Sequence, residues 1–136
     1  MVEMELHKIV IDEKRHDQLI VLKEKSGTRV LPIVIGLNEA SAIKLNLSGY
    51  KPPRPLTHDL LYSLIEGLQA RIEKIVINKL EENTFYAQLC IETQPGLSKI
   101  IDARPSDSIA LAVRAHVPIF VEEEVLKQSE IFNQGK

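Results

Sequence analysis

Apolar and polar positions fall into short runs whose period divides the chain into strands and helices. Residues 2–11 mix the two kinds and end on Ile9-Val10-Ile11, a strand pattern. The pattern returns at 18–23 and 29–35, after a polar turn at 12–17 and a Ser26-Gly27 turn. Asn38 is placed as the N-cap of a helix, with Glu39 in its first turn, Ala40, Ile43 and Leu47 on one face, and Gly49 as its stop. Lys51-Pro52-Pro53-Arg54-Pro55 can be neither helix nor central strand and is read as a stiff connection. Thr57 is the next expected N-cap. Its helix, 58–70, carries Leu60, Leu61, Leu64 and Leu68 on a single stripe.

The second half repeats this grammar. Strands are expected at 71–79, 84–91 and 98–103, with turns at Glu82-Asn83 and Pro95-Gly96. Pro105-Ser106-Asp107 opens a helix to about residue 115, with Ile109, Ala112, Val113 and His116 on one face. A strand at 117–121 and a helix at 122–132 close the chain. Lys8-Ile9-Val10-Ile11-Asp12 matches Lys74-Ile75-Val76-Ile77-Asn78 at an offset of 66, and Ile35-Gly36-Leu37-Asn38-Glu39 matches Ala103-Arg104-Pro105-Ser106-Asp107 at 68. This suggests two related modules, about 4–47 and 71–115, each of three strands and a helix, with an inserted helix at about 57–70. The expected fold is one compact α+β domain with largely antiparallel sheets and a C-terminal helix.

Composition narrows the function classes. At 136 residues, 44% hydrophobic and 26% charged, the chain can bury a core, and global disorder is excluded. Lys and Arg number 17 against 19 Asp and Glu, a net charge of −2, so any polyanion must be held by a few clustered cations rather than by bulk charge. Three Tyr, three Phe and no Trp are too few for a long base-stacking platform. Cys90 can form neither an internal disulfide nor a Cys-based zinc site and reads as a buried strand residue. The start lacks a signal-peptide pattern and no apolar run approaches the ~20 residues of a bilayer span, so a cytoplasmic location and no membrane partner are expected.

Two polar clusters each sit at a helix start beside a Pro-containing turn: Arg54-Pro55-Leu56-Thr57-His58-Asp59-Leu60 and Asp102-Ala103-Arg104-Pro105-Ser106-Asp107-Ser108. Helix starts attract anions, and an Arg beside one adds a planar phosphate ligand. In this reading Arg54 and Arg104, with Ser106 and Glu39, bind substrate. His58, Asp59, Asp102 and Asp107 carry the chemistry: His58 moves a proton, and Asp102 and Asp107 are the foremost ligands for Mg²⁺ or Mn²⁺. The plainer reading makes Thr57 and Ser106 caps and the acids dipole partners, with Asp102 pairing Arg104 or Arg54. His7 and His16 are assigned nothing; His116 favours a helix end; Glu122-Glu123-Glu124 is a solvated first turn. No Gly-rich nucleotide loop, paired-Cys pattern, His-Glu-x-x-His or nucleophile elbow is present.

The ordered strings Leu31-Pro32-Ile33-Val34-Ile35-Gly36, RPLTHDL (54–60), Thr84-Phe85-Tyr86-Ala87, DARPSDSIALA (102–112) and Pro118-Ile119-Phe120-Val121 resemble the bifunctional nuclease family, over about residues 4–127. The resemblance implies cleavage of phosphodiester bonds in DNA and RNA, with nucleic acid as the substrate partner, and carries Arg54, His58, Asp59, Asp102, Arg104, Ser106 and Asp107 as the motif residues. Glu39 is the counterpart of Asp107 in the first repeat. Ser108 stands where many relatives have Ala. The alternative is a non-catalytic regulatory module that binds an anionic metabolite, nucleotide or protein at the same Arg-bearing helix starts. A homo-oligomer is also expected, the apolar residues Val125, Leu126, Ile131 and Phe132 of the last helix packing on a second copy.

Overall fold

The computed structural model describes residues 1–12, 14 and 17–134, with side chains through Glu130. His16 and the side chains of Ile131 and Phe132 thus lie outside the described residues. The elements run β1 (Val2–Val10), β2 (Asp17–Glu24), β3 (Val30–Gly36), α1 (Leu37–Ser48), α2 (Thr57–Gly67), β4 (Arg71–Glu81), β5 (Thr84–Gln94), β6 (Leu97–Ala103), α3 (Pro105–Ala115), β7 (Ile119–Val121) and α4 (Glu123–Gln134). They form one α+β domain built on a seven-stranded sheet of order β3-β2-β1-β7-β4-β5-β6. Each half is an antiparallel meander followed by a helix. The short strand β7 joins them, antiparallel to β1 and parallel to β4. That one parallel pairing requires a crossover, which α3 supplies between β6 and β7.

Local chemistry sets the turns. Glu82 and Asn83 both take positive φ, 50° and 63°, and link β4 to β5 as a two-residue hairpin loop whose twist matches that of the strands. Pro95 and Gly96 link β5 to β6, with Gly96 at φ 77°. Alternation buries one face: Ile20 and Leu22 of β2, Leu31, Ile33 and Ile35 of β3, Ile75 and Ile77 of β4 and Leu89 of β5 pack into one core with Ala40 and Ile43 of α1 and Ile109 and Ala112 of α3. Cys90 is buried as expected, and burial pushes its thiol up in pKa, away from reactivity.

Several expectations need correction. α1 starts at Leu37 directly off β3, so its N-cap is Gly36 and not Asn38. A Cβ on Gly36 would meet Glu39 Oε2 at 2.6 Å, so a larger residue here would displace the Glu39 carboxylate. α2 is capped at Leu56, not Thr57: Asp59 turns back and accepts the Leu56 N–H at 3.0 Å. The helix ends at Gly67, three residues early, because Gln69 turns left-handed at φ 64°. The leucine stripe of α2 exists but faces outward. Leu60, Leu64 and Leu68 are 54%, 52% and 79% exposed, while the buried side carries His58 with partly buried Tyr62 and Ile65. Val125 and Leu126 of α4, expected on an outer surface, are 1% and 2% exposed and belong to the core. Glu123 is also less free than a solvated turn suggests, since Arg29 Nη1 donates to it at 2.9 Å.

Candidate functional site

The end of β3 and the start of α3 meet at one corner. β3 runs straight into α1, which places Glu39 one turn beyond the strand. β6 leads through Arg104, the N-cap of α3, to Asp107 in its first turn. Arg104 joins the two: Nε donates to Asp107 Oδ2 at 2.9 Å and Nη2 to Glu39 Oε1 at 3.0 Å. Asp107 Oδ1 lies 2.9 Å from His58 Nε2 of α2. Burial pushes the Asp107 carboxyl up in pKa. The hydrogen bonds and charges of Arg104 and His58 outweigh that and hold it below the usual carboxylate range. Asp107 is therefore the anionic acceptor, and the Nε2 proton of His58 is the donor. Arg104 is held still more firmly cationic, first by Asp107 and then by Glu39. A second tie follows about two turns along α3, where Arg114 Nε donates to Asp59 Oδ1 at 3.2 Å and stacks over Tyr62 at 4.5 Å.

The structure therefore brings together His58, Asp59, Asp107, Arg104 and Glu39, from both motifs and from α1. It leaves Arg54 and Asp102 apart. Arg54 is exposed on the Pro-rich connection and makes no ion pair among the described residues. Asp102 is exposed on the edge strand β6, opposite Gln88, and its side chain makes no hydrogen bond among the described residues. Both oxygens of Asp107 are already engaged by donors, and among the described residues no three His, Cys, Asp or Glu side chains cluster as metal ligands. These donors do not fit a preformed Mg²⁺ or Mn²⁺ site made by Asp102 and Asp107.

Beside this corner opens a cleft of about 690 Å³. Arg104, Pro105 and Ser106 form part of its wall, with Gly36 and the Ile33–Ile35 stretch of β3 and with the Asn83, Thr84 and Phe85 hairpin tip. Asp17 is its one acidic wall residue among the described residues, and Ser129 of α4 another polar one. His58, Asp59, Glu39, Asp102 and Arg54 are not in the wall. His58 is 8% exposed and lies behind it, tying α2 to α3. The amides of Ser106 and Asp107 occupy the first turn of α3, where no intrahelical acceptor precedes them, and the Arg104 cap offers no side-chain acceptor. Asp17, Asn83 and Ser129 escaped the sequence reading as site residues, since each looks like an ordinary strand, turn or helix residue; Thr84 and Phe85 were read as a strand and as part of a family string, without a role. Only the Asn83 turn carried a signal, and that signal was conformational.

An α+β domain that presents a charge-locked Arg at a helix start over a cleft is a protein equipped to hold an anion. Comparison with known proteins shows the family. The sequence model of the bifunctional nuclease domain matches residues 20–134, and the chain belongs to that family. It is 44% identical over 129 residues to an uncharacterized protein of Mycobacterium tuberculosis, covering 95% of this chain and 76% of that protein. It is 27% identical to Bifunctional nuclease 1 of Arabidopsis thaliana over 107 residues, covering 76% of this chain and 33% of that protein. It is 22% identical to the bifunctional nuclease of Oryza minuta over 116 residues, 84% of this chain and 35% of that protein.

Proposed function

We propose that the chain is a nuclease that hydrolyses phosphodiester bonds of nucleic acid in the cleft beside Arg104. The observation that carries this is Arg104 itself, fixed by Asp107 and Glu39 at the start of α3 in the cleft wall. Hydrolysis builds negative charge on the phosphoryl oxygens, and a donor already in place stabilises it without reorganising. A guanidinium has five N–H donors; the two carboxylates use two, which leaves three for a phosphate. The Ser106 and Asp107 amides add helix-start donors on the same side. Asp17, the acidic wall residue, is the group for orienting or deprotonating an attacking water. Asp107, His58 and Glu39 act by positioning Arg104 and α3. The donor set assigns no step to a metal, so the divalent ion stays a question for the assay.

The test is turnover of fluorescent DNA and RNA oligonucleotides by the purified chain, with Mg²⁺, with Mn²⁺ and with EDTA. Arg104-dependent cleavage supports the proposal. Cleavage that survives Arg104→Ala undiminished, or no cleavage under any condition, overturns it. A second reading, a non-catalytic module that binds an anion or nucleotide, draws on the net charge of −2 and on the burial of His58 away from the cleft. It predicts Arg104-dependent binding without turnover. We also propose that copies associate, through the outward leucines of α2 rather than through α4.

A further inference from the structure

The lining of the cleft holds residues of two kinds, and together they specify what the phosphate is attached to; this rests on the cleft being the phosphate site. Ser106 and Ser129 are each only 6% exposed, and neither hydroxyl makes a hydrogen bond among the described residues. Neither oxygen is among the fully buried unpaired atoms, so both hydroxyls open to the cleft, where ligand oxygens can pair with them. Together with Arg104 and the first amides of α3 they make a wall for a phosphate and its sugar.

The rest of the lining includes an apolar and aromatic group. Leu80 and Phe85 are cross-strand partners, carried to the cleft by the Glu82-Asn83 turn. Phe85 is only partly buried, and Pro32 and Leu19 also line the cleft. Asn83 and Thr84 place an amide and a hydroxyl beside the ring in sequence, suited to the edge of a base. A volume of about 690 Å³ lies within the range of small-ligand sites and far exceeds what a phosphate alone fills. A recessed aromatic wall is also useless to a paired base, both faces of which are covered in the stack.

We propose that the cleft takes one unpaired nucleotide, with its phosphate at Arg104, its phosphate and sugar oxygens completed by Ser106 and Ser129, and its base against Phe85. The substrate is then single-stranded or looped nucleic acid rather than continuous duplex.

Titration calorimetry on the whole chain tests this with adenosine 5′-monophosphate, ribose 5-phosphate and inorganic phosphate. The nucleotide should bind at least ~10-fold more tightly than ribose 5-phosphate, the size of a single base stack. Phe85→Leu, which preserves apolar packing, should remove most of that gap and leave ribose 5-phosphate within about twofold. Phe85→Tyr should keep the gap, and it guards against a folding defect in the Leu variant. In competition with a fluorescent adenosine monophosphate, a single strand should displace at least ~10-fold better than the same sequence as duplex. Equal binding of nucleotide and ribose phosphate, a gap that survives Phe85→Leu, or equal displacement by duplex overturns the proposal. The nuclease reading fails separately: nucleotide binding as described without any oligonucleotide cleavage removes catalysis and keeps this site. Arg104-dependent cleavage without the gap does the reverse.

Discussion

Asp107→Asn exchanges one oxygen for an NH2 group and tests the centre of the network. The carboxylate accepts from Arg104 Nε and from His58 Nε2, each at 2.9 Å. The amide keeps one acceptor and turns a donor toward the other partner. The Arg104 side chain is 68% exposed, so its bond is screened and contributes about 0.5 kcal/mol. The His58 side chain is 11% exposed, and a hydrogen bond from it to a charged acceptor contributes about 1.5 kcal/mol or more. The expected loss is therefore about 2 kcal/mol, or roughly 8 °C in melting temperature for a domain of this size. The pH dependence gives an independent check. The Asp107 pKa is lowered in the folded state, so its contribution is present above the unfolded carboxylate value of ~3.9 and is lost as pH falls through the folded value. Urea unfolding followed by circular dichroism at pH 7 and near pH 3 should show a gap between the two proteins that shrinks in acid. A gap under ~0.5 kcal/mol at pH 7, or one unchanged in acid, refutes the reasoning. His58→Ala combined with Asp107→Asn should show a coupling of at least ~1 kcal/mol.

Arg104→Ala should lower oligonucleotide cleavage at least ~100-fold, with a far smaller effect on stability because the side chain is largely exposed; the readouts are initial rates and thermal melting. Ile75→Ala should cost about 2–5 kcal/mol in urea unfolding, since Ile75 is 0% exposed beneath α3 and α4. Leu60→Glu with Leu64→Glu, both on the outward face of α2, should leave monomer stability within about 1 kcal/mol and convert an oligomer to monomer by light scattering. An unchanged mass in the double variant removes α2 as the contact.

The strand runs were legible because half-buried antiparallel strands alternate with a period of two, and the hairpin turns announced themselves through Asn83 and Gly96. Helix starts were misplaced for a physical reason. Asn38 and Thr57 are good caps by composition, but α1 grows straight out of β3 and is capped by Gly36, while Asp59 serves the backbone of Leu56 from inside α2. The leucines of α2 show the limit of periodicity. It reported a stripe without saying whether the stripe meets the core or leaves it, and here His58 and Tyr62 take the inward side. Strand order was equally hidden. β7 inserts between β1 and β4, and nothing local in Ile119-Phe120-Val121 records that position.

The site divides along the same line. Arg104, Asp107 and Ser106 were readable because they stand in one short string at a helix start, where local chemistry and final position coincide. The pairing of His58 with Asp107 spans 49 positions, and that of Arg104 with Glu39 spans 65. Both became visible only when the folded sheet brought the starts of α1, α2 and α3 to one corner. The cleft wall is more scattered still, from Asp17 on β2 through Phe85 on β5 to Ser129 on α4. Asp17 and Ser129 have no sequence neighbour that marks them, and the family string around Phe85 says nothing of a cleft. That distribution bears on mechanism. A pair such as Asp102 and Asp107 looked like a metal site because proximity in sequence was the only proximity available. In the fold, Asp107 is consumed by Arg104 and His58, and Asp102 faces outward on the edge strand. Among the described residues the cation that lines the cleft is thus an arginine held by two carboxylates, Glu39 and Asp107, and of the two acids read as ligands in sequence Asp107 is better understood as a group that keeps it there.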